Sequence, residues 1–197
     1  MLDTIAENQP DRRPAILVCV YETADPLWNA LDGDPDWRLP GARLRPLGPR
    51  EPADLAGRIT GELDHADCRA VLLVGRTRKS DGFRVQMRAE NRALTGGNKL
   101  SRTGPSLARA TAPVAEMVRA LIDAGLSAEA TSDSEEDAGS YLLYRVLTAL
   151  PDDADAPAVG LLRAPSTLNE AQLRLGIQTA ATAMARHLSP LPRVRLS

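Results

Sequence analysis

The stretch AGSYLLYRVLTAL at residues 138–150 and the stretch AVGLLRAP at residues 158–165 indicate the fold more clearly than any other part of the chain. The first is predicted to form a helix, because the acidic residues before it complement a helix dipole and supply N-caps. The second is an apolar run that ends at Arg163 and Pro165, which is typical of a buried strand. A helix followed closely by a buried strand favours an α/β fold.

Strands and helices alternate along the rest of the chain. Residues 15–20 and 70–75 are continuous apolar runs, which predict strands buried on both faces. Residues 83–91 alternate between apolar and polar side chains, which predicts a half-buried strand that pairs antiparallel or lies at an edge. The other predicted elements are strands at 42–47 and 128–132 and helices at 52–66, 113–124 and 168–187. This alternation predicts an α/β layered sheet.

Candidate capping residues, a proline and a glycine mark the limits of the predicted helix at 113–124. Thr111 is a plausible N-cap, and Pro113 suits the first turn because proline lacks the N–H that is left unpaired there. Gly125 is predicted to end the helix.

Length and composition limit the classes of function. A chain of 197 residues with 43% apolar and 25% charged residues predicts one globular domain, at 15–190, between a polar tail at 1–14 and a second tail at 191–197. A net charge of −2 favours neither nucleic acid nor an acidic membrane as partner. The N-terminus lacks the apolar segment of a secretory signal, and no apolar run approaches the roughly 20 residues of a membrane helix. The predicted compartment is the cytoplasm.

Cysteine and glycine patterns predict neither a metal site nor a cofactor. Cys19 and Cys68 cannot form a disulfide framework and have no metal-ligand spacing, so both are interpreted as small buried hydrophobic residues. The pair Gly96-Gly97 lacks the following lysine and the spacing of a phosphate-binding loop.

Three segments together resemble pyroglutamyl peptidase I, a family of cysteine peptidases. AGSYLLY at 138–144 is similar to the family's AGTYxCN segment, and GLLRAP at 160–165 is similar to its GFxHxP strand end. Residues 75–91 align without gaps to a stretch that ends in ERxAxN, with Ala89 and Asn91 matched. The resemblance implies a three-layer α/β/α fold of the phosphorylase/hydrolase type, with a mixed, mostly parallel sheet.

The resemblance also implies three catalytic positions, and none of them keeps its catalytic residue. The cysteine position is Leu143, the histidine position is Arg163 and the glutamate position is Gln86. Leucine is not a nucleophile, and arginine does not give up its proton at neutral pH. The family's GFxPFGG loop, which lines the substrate pocket with phenylalanines, corresponds to VYETADP at 20–26, and Phe83 is the only phenylalanine of the chain. The sequence therefore predicts a pyroglutamyl-peptidase-like protein without peptidase activity, which keeps a binding or structural role. A homo-oligomer is a further prediction.

The alternative is an active hydrolase or peptidase of N-terminally blocked peptides or related amides, with a non-standard site. Ser140 lies near the predicted helix N-terminus, where backbone N–H groups stabilise an oxyanion. A serine nucleophile needs a base, however, and His65 and His187 both lie at helix ends that favour ordinary solvated residues. A capping or first-turn position is the simpler role for Ser140.

Charged residues near these positions suggest a ligand, with a structural alternative for each group. Arg163 is predicted to form a carboxylate-binding pocket with Arg76, Arg78 and Arg88 for a small acidic or peptide ligand, or else a buried ion pair with Glu90 or an acidic loop residue. A basic stretch comprises Arg76, Arg78 and Lys79. It is predicted either to bind an anion or to form a solvated loop. The acidic segment at 133–137, whose Glu135, Glu136 and Asp137 are extra relative to the family, is predicted to form a cation site, to supply paired carboxylates for acid–base chemistry, or to complement the helix dipole.

Overall fold

The computed structural model describes residues 16–21, 42–46, 50–63, 68–151 and 156–188. The predicted tails at 1–14 and 191–197 lie outside this part of the chain, as do His65 and residues 22–26. The described strands are β1 (Ile16–Val20), β2 (Ala42–Pro46), β3 (Ala70–Thr77), β4 (Phe83–Gln86), β5 (Arg88–Glu90), β6 (Leu107–Arg109), β7 (Ala128–Thr131) and β8 (Ala158–Pro165). The described helices are α1 (Pro52–Leu63), α2 (Val114–Asp123), α3 (Ala138–Ala149) and α4 (Glu170–Leu188).

Six of these strands form one mixed sheet in the order β2-β1-β3-β8-β4-β7. Neighbouring strands pair in parallel except β8 and β4, which are antiparallel. Strands β5 and β6 form a separate antiparallel ribbon. The sheet is therefore mostly parallel, as the resemblance implied.

Helices cover both faces of the sheet and create two apolar layers. Alternate residues of β1 and β3 pack against α2 and α4 on one face, where Met117, Leu121 and Ile177 are buried. The intervening residues pack against α1 and α3 on the other face, where Ile59 and Leu143 are buried. Burial on both faces is the reason why β1 and β3 are continuous apolar runs. The expected three-layer α/β/α fold is confirmed.

The prediction for residues 83–91 was wrong in part. The segment is two strands, and β4 lies inside the sheet between β8 and β7 instead of at an edge. Its antiparallel pairing with β8 is confirmed. The expectation of a half-solvated strand failed because Arg84 and Gln86, its two polar residues, are buried and hydrogen bonded.

The expected N-cap at Thr111 was also wrong. Helix α2 begins at Val114, with Pro113 at the N-cap position and no side-chain cap. The Thr111 hydroxyl instead accepts a hydrogen bond of 2.8 Å from the Val159 backbone N–H, which ties the loop before α2 to β8. Gly125 follows the end of α2 as predicted, with a φ of +79°, a conformation that glycine adopts at little cost.

Candidate functional site

Gln86, Ser140 and Arg163 come together where α3 begins beneath the sheet. Strands β4 and β8 supply Gln86 and Arg163, and the first turn of α3 supplies Ser140. The Arg163 Nε donates to Gln86 Oε1 at 3.0 Å, and its Nη2 donates to Ser140 Oγ at 2.9 Å. Gln86 Nε2 donates to the same hydroxyl at 3.2 Å. All three side chains are buried, and Arg163 is 0% exposed.

Leu143 follows Ser140 by three residues on α3, so it lies on the same face of the helix. Its side chain is 0% exposed and belongs to the apolar layer between the sheet and helices α1 and α3. At the position where the resemblance implies a thiol, the chain therefore has a core residue.

Asp137 neutralises the buried guanidinium. Arg163 donates to both carboxylate oxygens of Asp137, with 2.7 Å between Nη2 and Oδ1. Asp137 is also the N-cap of α3, because its Oδ1 accepts a hydrogen bond of 3.0 Å from the Ser140 N–H. Burial lowers the pKa of Arg163, but the hydrogen bond with Asp137 and the charges of Asp137 and Glu135 outweigh it and hold the pKa above its ordinary value. Arg163 is a permanent cation and not a base.

Glu135 joins this pair to a second buried arginine. Arg84 lies directly opposite Arg163 in the antiparallel register of β4 and β8. Two facing cations repel each other, and Glu135 lies between them, 3.0 Å from Arg84 Nη1 and 3.7 Å from Arg163 Nε. Its Oε1 also accepts a hydrogen bond of 2.7 Å from the Thr77 hydroxyl. The acidic segment is thus held by cations of the sheet.

Tyr21, which follows β1, fills the space beside the start of α3. A Cβ added at Gly139 would overlap the Tyr21 hydroxyl and would lie 3.2 Å from Arg163 Nη2. A Cβ at Gly75 would overlap the same phenol ring. The role of Tyr21 was not predicted from the sequence, in which its signal is a pair of glycines, Gly75 at a strand end and Gly139 at a helix start.

The four arginines predicted to form a pocket do not share one. Arg163 is inside the protein, and its carboxylate partner is Asp137 and not Glu90. Arg88 Nε donates to the Ser132 carbonyl at 3.0 Å. Arg76 and Arg78 line an open cleft of about 640 Å³ at the ends of β3 and β8.

The other predicted reactive groups lie elsewhere or have no catalytic partner. His187 is exposed in the last turn of α4, on the opposite face of the sheet from Ser140. Burial raises the pKa of the Cys19 thiol and of the Cys68 thiol. Within the described residues, no group of three or more His, Cys, Asp or Glu side chains is placed to hold a metal ion, and no helix is long and apolar enough to cross a membrane.

Comparison with known proteins supports the fold and leaves the activity open. No family model matches the sequence, and no curated protein matches it. Among solved structures, the chain is similar to pyrrolidone carboxyl peptidase from Thermus thermophilus, with 17% identity, a TM-score of 0.65, and 84% of this chain and 98% of that chain covered. The peptidase from Thermococcus litoralis gives 15% identity, a TM-score of 0.71, and coverage of 88% and 94%. The pyroglutamyl peptidase I from Bacillus amyloliquefaciens gives 14% identity, a TM-score of 0.70, and coverage of 88% and 97%. At these identities the similarity shows a shared fold.

Proposed function

We propose that this chain is a pyroglutamyl-peptidase-like protein without cysteine peptidase activity, which keeps a binding or structural role. One observation carries the proposal: the position implied for the catalytic base is Arg163, which is fully buried and bonded to Asp137. A base must accept a proton in the reaction, and a guanidinium whose pKa is held above its ordinary value does not do so.

The position of the nucleophile supports the same proposal. Covalent catalysis needs a hydroxyl, thiol, amine or carboxylate that reaches the substrate carbonyl. Leu143 offers none of these and is closed off from solvent. Gln86 is also unsuited to orient a histidine, because its amide is bonded to Arg163, to Ser140 and to the Arg88 carbonyl.

Ser140 is the candidate nucleophile for any hydrolase activity that the protein keeps. Its hydroxyl lies in the first turn of α3, but it is 7% exposed and is bonded to Arg163 and Gln86. None of the groups bonded to it accepts a proton readily at neutral pH, since they are a guanidinium and an amide. We therefore assign Ser140 to the buried hydrogen-bonded group that it forms with Gln86 and Arg163. An active serine hydrolase is the alternative, and the experiment tests it.

The test is hydrolysis of a fluorogenic pyroglutamyl amide by the purified protein and by its Ser140→Ala variant. We expect neither protein to exceed the rate of a mock purification from cells without the gene. Turnover that persists through further purification would contradict the proposal. Loss of that turnover in Ser140→Ala, together with labelling of the wild type by a serine-reactive phosphonate, would establish the serine hydrolase instead.

A further inference from the structure

An open cleft lies beyond the carboxyl ends of β3 and β8. Its volume of about 640 Å³ is within the range that small-molecule ligands occupy. Arg76, Arg78 and Lys79 line it from β3 and the following loop, residues 135–137 line it from the acidic segment, and Ser166 follows β8. Each described lining residue carries a charge or a hydroxyl group. Ligands of open α/β sheets bind at this edge, and this lining favours a polar ligand over an apolar one.

The carboxylates of the cleft are already neutralised by arginines that do not line it. Three ion pairs do this: Glu135 with Arg84, Glu136 with Arg92, and Asp137 with Arg163. The pairs of Glu135 and Asp137 are largely closed off from solvent, because both arginines are buried. Glu135 and Asp137 therefore contribute little negative charge to the cleft, whereas the Glu136 side chain is 75% exposed and keeps its charge.

Two cations of the opposite wall, Arg78 and Lys79, are exposed and only weakly compensated. Arg78 is exposed and forms no ion pair with any residue in the described part of the chain. Lys79 Nζ lies 3.6 Å from Asp133, and the two side chains are 49% and 65% exposed. An ion pair so exposed is weak and leaves the Lys79 ammonium available to an anion. Arg78 and Lys79 are therefore accessible cations of the cleft, although the whole chain carries −2.

We propose that this cleft binds a small anion with a carboxylate or phosphate group, held by Arg78 and Lys79. The planar guanidinium of Arg78 matches the two oxygens of either group, and Lys79 adds a point charge beside it. The inference deepens the proposed function, since it names the class of ligand for the binding role. It uses none of the residues at the three former catalytic positions.

The test is isothermal titration with succinate and with inorganic phosphate at constant ionic strength. The test variant is Arg78→Gln/Lys79→Gln, and the matched control is Lys99→Gln/Arg102→Gln, which removes the same charge from exposed residues that do not line the cleft. We expect the wild type and the control to bind one or both probes. The test variant should bind roughly 10-fold or more weakly, because it loses charge-assisted hydrogen bonds.

The relative affinity for the two probes identifies the anionic group. Absence of binding to both probes at tens of millimolar would overturn the proposal, and so would equal affinity in the wild type and the test variant. The peptidase assay is independent of these outcomes. Turnover of the pyroglutamyl amide would contradict the proposed function without affecting the anion site, and failure of anion binding would leave the loss of peptidase chemistry standing.

Discussion

Replacement of Asp137 by serine should lower the free energy of unfolding by about 3 kcal/mol, because it removes the bidentate carboxylate partner of a buried arginine. Removal of one partner of a buried ion pair typically costs about 3–5 kcal/mol. The lower end applies here, because the Asp137 side chain is 28% exposed although Arg163 is 0% exposed. Serine keeps an oxygen for the N-cap of α3, so the roughly 1 kcal/mol contribution of the cap is retained. The measured loss then reports the ion pair.

Urea denaturation measures this effect, and two further variants separate its causes. Asp137→Ala should cost about 1 kcal/mol more than Asp137→Ser, since it also removes the cap. Glu136→Gln is the matched control, because it breaks a neighbouring ion pair with Arg92 in which both side chains are exposed, and it should cost less than about 1 kcal/mol. An Asp137→Ser variant within about 0.5 kcal/mol of the wild type would refute the structural role of the pair.

The double variant Asp137→Ser/Arg163→Met identifies the unpaired charge as the source of the loss. Methionine fills much of the space without a charge, and buried ion pairs replaced by apolar residues often lose little stability. We expect the double variant to be more stable than Asp137→Ser alone. Additive losses from the two substitutions would instead mean that Arg163 and Asp137 stabilise the protein independently.

Two further predictions concern packing and thiols. Gly139→Ala should destabilise the protein in urea although alanine favours helices by up to about 1 kcal/mol, because its Cβ overlaps Tyr21. In a Tyr21→Leu background this penalty should be smaller. The control is Gly61→Ala, which has open space around its Cβ and should stabilise the protein. A stabilising effect of Gly139→Ala would contradict the packing of Tyr21 against Gly139. Because burial raises the pKa of both thiols, less thiolate is present at neutral pH, so Cys19 should resist iodoacetamide until the protein unfolds. Cys68 should react more slowly than free cysteine, at a rate that increases with pH, and rapid alkylation of either thiol at pH 7 would argue against their burial.

The sequence predicted the layers of the fold because burial leaves a direct pattern in the residues. Continuous apolar runs identified β1 and β3, and Gly125 marked the end of α2. The position of β4 could not be predicted in the same way. Its polar residues Arg84 and Gln86 look solvated in sequence, and they are buried because partners distant in the chain satisfy them.

The candidate site was predictable in its members but not in its contacts. The resemblance implied that Gln86 and Arg163 lie together, and the structure bonds them directly. The carboxylate that pairs with Arg163 could not be predicted, because a sequence does not show which carboxylate of a loop faces inward. The structure settles this through Asp137, which satisfies the helix N-terminus and the guanidinium at the same time.

Arg163 and the acidic segment depend on each other and form one network of charges. A cation in the protein interior is costly unless it is paired and hydrogen bonded. Glu135 and Asp137 supply that pairing. A histidine introduced at position 163 would be shorter and neutral above its pKa, so it would leave Asp137 without its bidentate partner. The substitution should therefore cost stability unless Asp137 is replaced with it.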